Sequence, residues 1–265
     1  MIRVLASTIS VQLQQKLLHR EFWTEILIGR ILPILIPLLA WQAIFDFSGT
    51  SEFGGWQKNQ MEAYYLLVFI ISLFADIQFH YEMSSMVQLG TLNQWLIRPL
   101  SFCVTIASFI IARILMLIIP GLIGLALGAY FMQGFVGSFS ITNLATAIVV
   151  LPCSLIIFAC LSAAIGMLSF WIIRTESVFA LIMLILEFFG GRLIPLSLFP
   201  AWLEKISIFL PLRYAIFLPV EAILQPSRQV IFSVIVGQLA WSVVLLAIAM
   251  LLWKTGIRRY DAVGG

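Results

Sequence analysis

The side chains that could do chemistry are few and scattered. The two histidines, His19 and His80, fall in different segments, with no HExxH pair and no cysteine or carboxylate at ligand spacing, so no metal site is read. Cys103, Cys153 and Cys160 all sit in apolar runs and read as small buried apolar residues rather than a disulfide or metal site. A Gly-rich loop with its following Lys, which would cradle phosphates, is absent, and no serine stands in a nucleophile elbow. Catalysis within this chain is therefore not expected. Arg113 and Glu187 do stand out, each about ten residues into an apolar run. An ion at the centre of a bilayer costs at least about 2.5–3.5 kcal/mol, so both must face protein or water. They either pair, with each other or at a dimer interface, or line a wet path. Asp46, Glu62 and Asp76 lie nearer the ends of apolar runs, where solvation is easier.

The background to these residues is almost entirely apolar. Of 265 residues, 62% are hydrophobic, 13% aromatic and only 10% charged, with a mean hydropathy of +1.08. Soluble domains average roughly 45–50% apolar and about 25% charged, so a water-soluble globular enzyme is excluded. The 17 Gly and 10 Pro are too few for a low-complexity chain. The 21 Phe read as packing and lipid-facing surface. A net charge of +3 sets topology here rather than marking a nucleic-acid partner, because no hydrophilic domain carries a basic surface.

The elements that must position the rest are helices. Ile2, Leu5, Ile9, Leu13 and Leu17 recur at three- and four-residue steps with Ser7, Ser10, Gln14 and Gln15 between them. This predicts an amphipathic interfacial helix over residues 1–24 rather than a signal peptide. Six spans of about 20 residues follow. They are placed near Ile26–Phe47, Ala63–Phe79, Phe102–Phe131, Leu144–Ile173, Val178–Ile194 and Ile231–Trp253, with kinks expected at Pro120-Gly121 and Pro152. The fold class is thus an all-α integral membrane protein, one transmembrane domain over residues 1–265. With both termini inside, Arg3, Lys16, Arg20, Arg98, Arg174, Lys254, Arg258 and Arg259 are cytoplasmic. Lys58, Arg192, Lys205, Arg213 and Arg228 are outside, a bias that favours this orientation.

Two connections are longer than turns require. Residues 80–101 read HYEMSSMVQLGTLNQWLIRPLS on the cytoplasmic side. Gly90 breaks the chain, Thr91 is placed to cap a short helix, and Pro99 ends it, so Leu92, Trp95 and Leu96 share one face. That face needs lipid headgroups or a groove on a soluble partner to cover it. Residues 190–228 are semi-apolar and broken by Pro195, Pro200, Pro211, Pro219 and Pro226. Short helices dipping back into the outer leaflet fit this pattern best.

The order Gly90-Thr91-Leu92 then Leu96-Ile97-Arg98-Pro99-Leu100 resembles the coupling-helix segment of permease subunits of type 2 ATP-binding cassette (ABC) transporters. The branch it resembles includes viologen and daunorubicin-type exporters. Gly190-Gly191-Arg192-Leu193-Ile194-Pro195, Phe199-Pro200-Ala201-Trp202-Leu203 and Leu210-Pro211-Leu212-Arg213-Tyr214 are similar to that family's re-entrant outer segment after span 5. The tail, with Trp253, Gly256-Ile257-Arg258-Arg259-Tyr260 and Gly264-Gly265, continues the likeness.

The resemblance implies a permease half in the bacterial inner (plasma) membrane that pairs with a second half, the same chain or a paralogue. It implies separate ABC ATPase subunits, which would contact Gly90, Thr91, Leu92, Trp95, Leu96, Arg98 and Pro99 and export a substrate. ATP and Mg would be held by that ATPase, and no cofactor by this chain. Arg113 and Glu187 become transport-path or interface residues, and Gly190, Gly191, Pro195, Pro200, Trp202, Pro211 and Tyr214 the re-entrant set. The substrate is not fixed by this chain alone. The competing classes are a stand-alone ion-coupled carrier or channel, with Asp76, Arg113 and Glu187 as relay, and a membrane scaffold.

Overall fold

A computed structural model describes Thr24, Ile28 and residues 32–75, 79–97, 102–131, 139–172 and 175–260. The amphipathic stretch expected over residues 1–24 lies outside these apart from Thr24. In chain order the long elements are α1 (Leu32–Ser48), α2 (Lys58–Ala75), α3 (Phe79–Gln88), α4 (Leu92–Leu96) and α5 (Phe102–Phe131). They continue with α6 (Ile141–Met167), α7 (Thr175–Phe189), α8 (Ala201–Ser207), α9 (Pro211–Ala215), α10 (Phe217–Leu224) and α11 (Arg228–Gly256). Short 3-10 turns follow α6 at Leu168–Phe170 and precede α8 at Leu196–Leu198.

One departure from an all-α chain is a small hairpin, β1 (Glu52–Phe53) against β2 (Trp56–Gln57). Gly54 and Gly55 form its tip at φ +56° and +85°, the pair of left-handed positions that a two-residue hairpin turn demands.

Among the described residues, three helices are long and apolar enough to cross a membrane, at Ile106–Gly124, Ile141–Phe170 and Arg228–Gly256. A fourth crossing is reached if α8 and Pro211–Leu224, bent by 79°, count as one. Within the described residues, the first, second and fifth expected spans carry helices of 17, 18 and 15 residues. Only 28% of the most apolar stretch of α11 is buried within the chain. Most of its surface therefore needs lipid or another chain, which a water-soluble fold could not supply.

The central helix is α6, which packs along α11 and also against α2, α3, α9 and α10. Ser140 and Asn143 start it with a reciprocal capping box, the Ser140 hydroxyl accepting from the Asn143 amide and the Asn143 Oδ1 from that of Ser140. Both prolines at which kinks are expected lie inside continuous helices, Pro120 in α5 and Pro152 in α6. A proline forfeits one helical hydrogen bond, and neighbouring helices hold the rest in place. Cys153 and Cys160 are free thiols on α6, half-buried and buried.

Residues 80–88 are expected in a cytoplasmic connection, with Phe79 ending the second span. Together they form α3, with Phe79, His80, Met83, Ser84 and Met86 buried. Gly166 near the end of α6 makes this contact possible, because a Cβ there would stand 3.2 Å from the His80 Cα and from the Met83 Cβ. The Cα cannot rotate away, so Gly166→Leu must push α3 off α6. Overpacking of this kind costs on the order of 1–3 kcal/mol. The expected result is a melting temperature in detergent lower by roughly 2–10 °C, with Gly166→Ala falling between.

Candidate functional site

The first candidate region is the short helix α4. Gly90 turns the chain at φ +70°, a conformation that favours glycine. Thr91 does not cap α4 as expected. Its backbone is already helical (φ −75°, ψ −8°), and its side chain makes no capping bond. A capping hydroxyl needs an extended backbone at its own residue to reach the amides ahead. The helix closes instead through the Gln94 amide on the Thr91 carbonyl at 3.1 Å, and ends with the Ile97 amide on the Asn93 carbonyl at 3.1 Å.

The shared face of Leu92, Trp95 and Leu96 divides. Leu92 is fully buried, and Trp95 is half-buried with its ring 5.6 Å from that of Phe109 on α5. Those two side chains anchor α4 to the body of the protein. The apolar surface left open is Leu96 (43% exposed), together with Leu89 (71%) and Ile97 (83%), which the expectation did not include. Their signal was present in the sequence as apolar residues flanking a helix too short to bury them. Arg98 and Pro99 lie outside the described residues. His80 is a packing residue, stacked 3.8 Å from the Phe179 ring of α7, with Nδ1 3.4 Å from the Ser162 hydroxyl.

Arg113 is buried on α5. Glu187 lies on α7, and its side chain, like the whole of Asp76, is outside the described residues.

The second candidate region, residues 190–228, is anchored throughout. Helix α7 ends as the Gly190 amide reaches the Leu186 carbonyl at 2.9 Å and Gly191 turns left-handed at φ +80°. Pro195 is buried, Pro200 precedes α8, and Pro211 opens α9, where its missing amide is no loss. Trp202 on α8 is 65% exposed. The Tyr214 ring lies against Gly237 of α11, where a Cβ would collide with it. Buried Gln238 donates to the Tyr214 carbonyl at 3.1 Å, to the Ser154 hydroxyl at 3.0 Å and to the Val150 carbonyl at 3.3 Å. Asn143 donates to the Ile223 carbonyl at 2.6 Å, so the cap of α6 also ties down α10.

Four residues on the α1–α2 side hold the start of this region. Tyr64 donates to the Gly191 carbonyl at 2.5 Å and Tyr65 to the Leu193 carbonyl at 2.6 Å. Trp41 donates to the Tyr65 hydroxyl at 2.8 Å, and Trp56 to Ser197 Oγ at 3.0 Å. Sequence reasoning passed over all four. The signal was a Tyr-Tyr pair early in an apolar run, since a buried phenol needs a partner for its hydroxyl.

A family model described as ABC-2 family transporter protein matches residues 31–264. The chain belongs to the ABC-2 transporter family. No curated protein sequence matches it. As an ABC-2 family protein it is a multi-pass membrane permease component, and that family partners with ABC ATPase subunits. Among the described residues of this ABC-2 permease, no group of three or more His, Cys, Asp or Glu could hold a metal ion.

Within the bent hairpin of the ABC-2 permease, Arg213 is the organising charge. It donates to the Glu204 carbonyl at 3.2 Å, the Ser207 hydroxyl at 2.9 Å and the Glu204 carboxylate at 3.3 Å, and lies 5.7 Å from the centre of the Phe217 ring. Charged hydrogen bonds are worth about 1.5–3 kcal/mol each, less where water reaches them. Arg213→Ala is expected to loosen the bend by about 2 kcal/mol. Amide exchange over residues 207–216 should then accelerate roughly 30-fold while the rest of the chain is unchanged.

Proposed function

We propose that this chain is the membrane-spanning half of an ATP-driven exporter in a bacterial inner membrane. It has six spans, both termini in the cytosol, and residues 1–24 lying along the interface as a helix. It pairs with itself or with a sister permease, and each half rests on a separate ATPase subunit that binds ATP and Mg. The whole chain forms one permease domain. Residues 80–101 face the ATPase, and residues 190–228 form the re-entrant segment on the outer side.

The observation that carries this reading is the division of α4. Leu92 and Trp95 fix the helix to α5 and the core, while Leu89, Leu96 and Ile97 stand open around it. A contact with those properties passes a push from a soluble partner into the body of the protein instead of absorbing it. Arg98 would add an ion pair with the ATPase, and Gly90 and Pro99 delimit the segment. When the ATPases close on ATP, the push on α4 would reach α5 through the Trp95–Phe109 contact. The halves would then rock from inward- to outward-facing, with Arg113 and Glu187 lining the path or the interface between halves.

The test is a mild-detergent purification of the tagged chain from its native cell, with mass spectrometry of the proteins that accompany it. A stoichiometric ATPase, with or without a second permease, is the expected result. An ATPase-free oligomer would overturn the exporter and favour the ion-coupled carrier.

A further inference from the structure

The segment from Gly190 to Leu224 is hydrogen-bonded near its two ends by different sets of side chains, while α10 at its far end also packs against α2, the Phe217 ring lying 6.4 Å from that of Tyr64. Its start accepts hydrogen bonds from the α1–α2 side, from Tyr64, Tyr65 and Trp56, with Trp41 behind Tyr65. Its far end is bound from α6 and α11, by Asn143 on the Ile223 carbonyl and Gln238 on the Tyr214 carbonyl. Between the two sets lies the 79° bend, with Trp202 and Phe209 exposed near it at 65% and 77%.

The attachment at the start is built for fixed geometry. Tyr64 and Tyr65 are fully buried, and their hydroxyls meet backbone carbonyls of an irregular stretch. Their rings stand edge-to-face at 5.4 Å, and Trp56 packs edge-to-face on Tyr64 at 5.3 Å. Gly191 leaves no slack: a Cβ there would lie 2.7 Å from the Tyr64 hydroxyl and 3.1 Å from the Phe217 Cβ. Hydrogen bonds to carbonyls are directional, so each one fixes position as well as distance.

We infer that Tyr64 and Tyr65 are positioning residues that make the start of the 190–224 segment travel with α2. A displacement of α2 against α6 and α11 is thereby turned into a reorientation of the bent hairpin. Helix α2 is separated by only three residues from α3, which leads to the docking helix α4. On the proposed reading, on which this inference rests, α2 carries the ATPase stroke to the outer hairpin, and the two phenols are its grip.

The experiment uses the purified complex with its ATPase in lipid nanodiscs. Cys103, Cys153 and Cys160 are replaced by alanine, and a polarity-sensitive fluorophore is attached at Phe209→Cys. Adding ATP and vanadate should shift the emission in this background. In Tyr64→Phe/Tyr65→Phe the ATPase should still co-purify and turn over ATP within about twofold, while the emission shift falls at least fivefold. Asn143→Ala, which removes one of the two side-chain holds on the other end, should keep most of the shift. If the double variant does not accumulate, Tyr65→Phe and Trp56→Phe are read singly, each with a partial loss expected. An undiminished shift in the phenylalanine variants, or no shift in the parent, overturns the inference while the exporter stands. Absence of any co-purifying ATPase overturns both.

Discussion

Aspartate at both Leu96 and Ile97 is expected to release the ATPase from a permease that still inserts and folds. Both side chains are open in the chain, at 43% and 83%, so a carboxylate costs the permease itself little. In the assembled transporter the same carboxylates would be driven into an apolar contact without partners. Apolar anchors at the centre of an interface are worth about 2 kcal/mol or more each, so co-purified ATPase should fall at least ~30-fold. Trp95→Ala provides the contrast. Its ring is half-buried against Phe109. That variant should lower the melting temperature of the permease while each folded molecule keeps its ATPase. Pull-down yield and melting curves measured on both variants separate docking from anchoring.

Gly191→Val should largely abolish accumulation of the protein in the membrane. At φ +80° a residue with a Cβ costs roughly 1–2 kcal/mol, and a β-branched one more. The new methyls collide with the Tyr64 hydroxyl and Phe217, adding about 1–3 kcal/mol. Displacing the Tyr64 bond removes about another 1 kcal/mol. The total, on the order of 3–6 kcal/mol, is comparable with the whole stability of a typical domain. Tyr64→Phe, which removes only the hydroxyl, should lose about 1 kcal/mol and still be made. Membrane yield and detergent melting temperature measured side by side check the ordering.

How much was legible in the sequence follows from the kind of signal each feature leaves. Long apolar runs announce helices by composition alone, so α5, α6 and α11 fall close to their expected bounds. Gly90 reads as a break and sits at positive φ, as does Gly191, which reads only as part of the re-entrant set. Thr91 failed as a cap because its residue type was right while its backbone was already helical. Leu92 was read as open surface although it is fully buried, since spacing shows which residues share a face but not what covers it. Tyr64, Gln238 and Asn143 were invisible for a related reason. Each acts on a backbone carbonyl far away in sequence, and a carbonyl carries no residue-type signature. The residues 190–228 were recognisable as interrupted apolar chain. Their two-ended attachment depends on contacts across the fold that periodicity cannot carry.

The most direct test of the central claim places a photo-cross-linking amino acid at Leu96, at Ile97 and, for comparison, at Leu246 on the open face of α11. After irradiation of native membranes, positions 96 and 97 should cross-link to an ABC ATPase subunit, and position 246 should not. Cross-links from 96 and 97 to lipid alone, at the level seen from 246, would contradict the account.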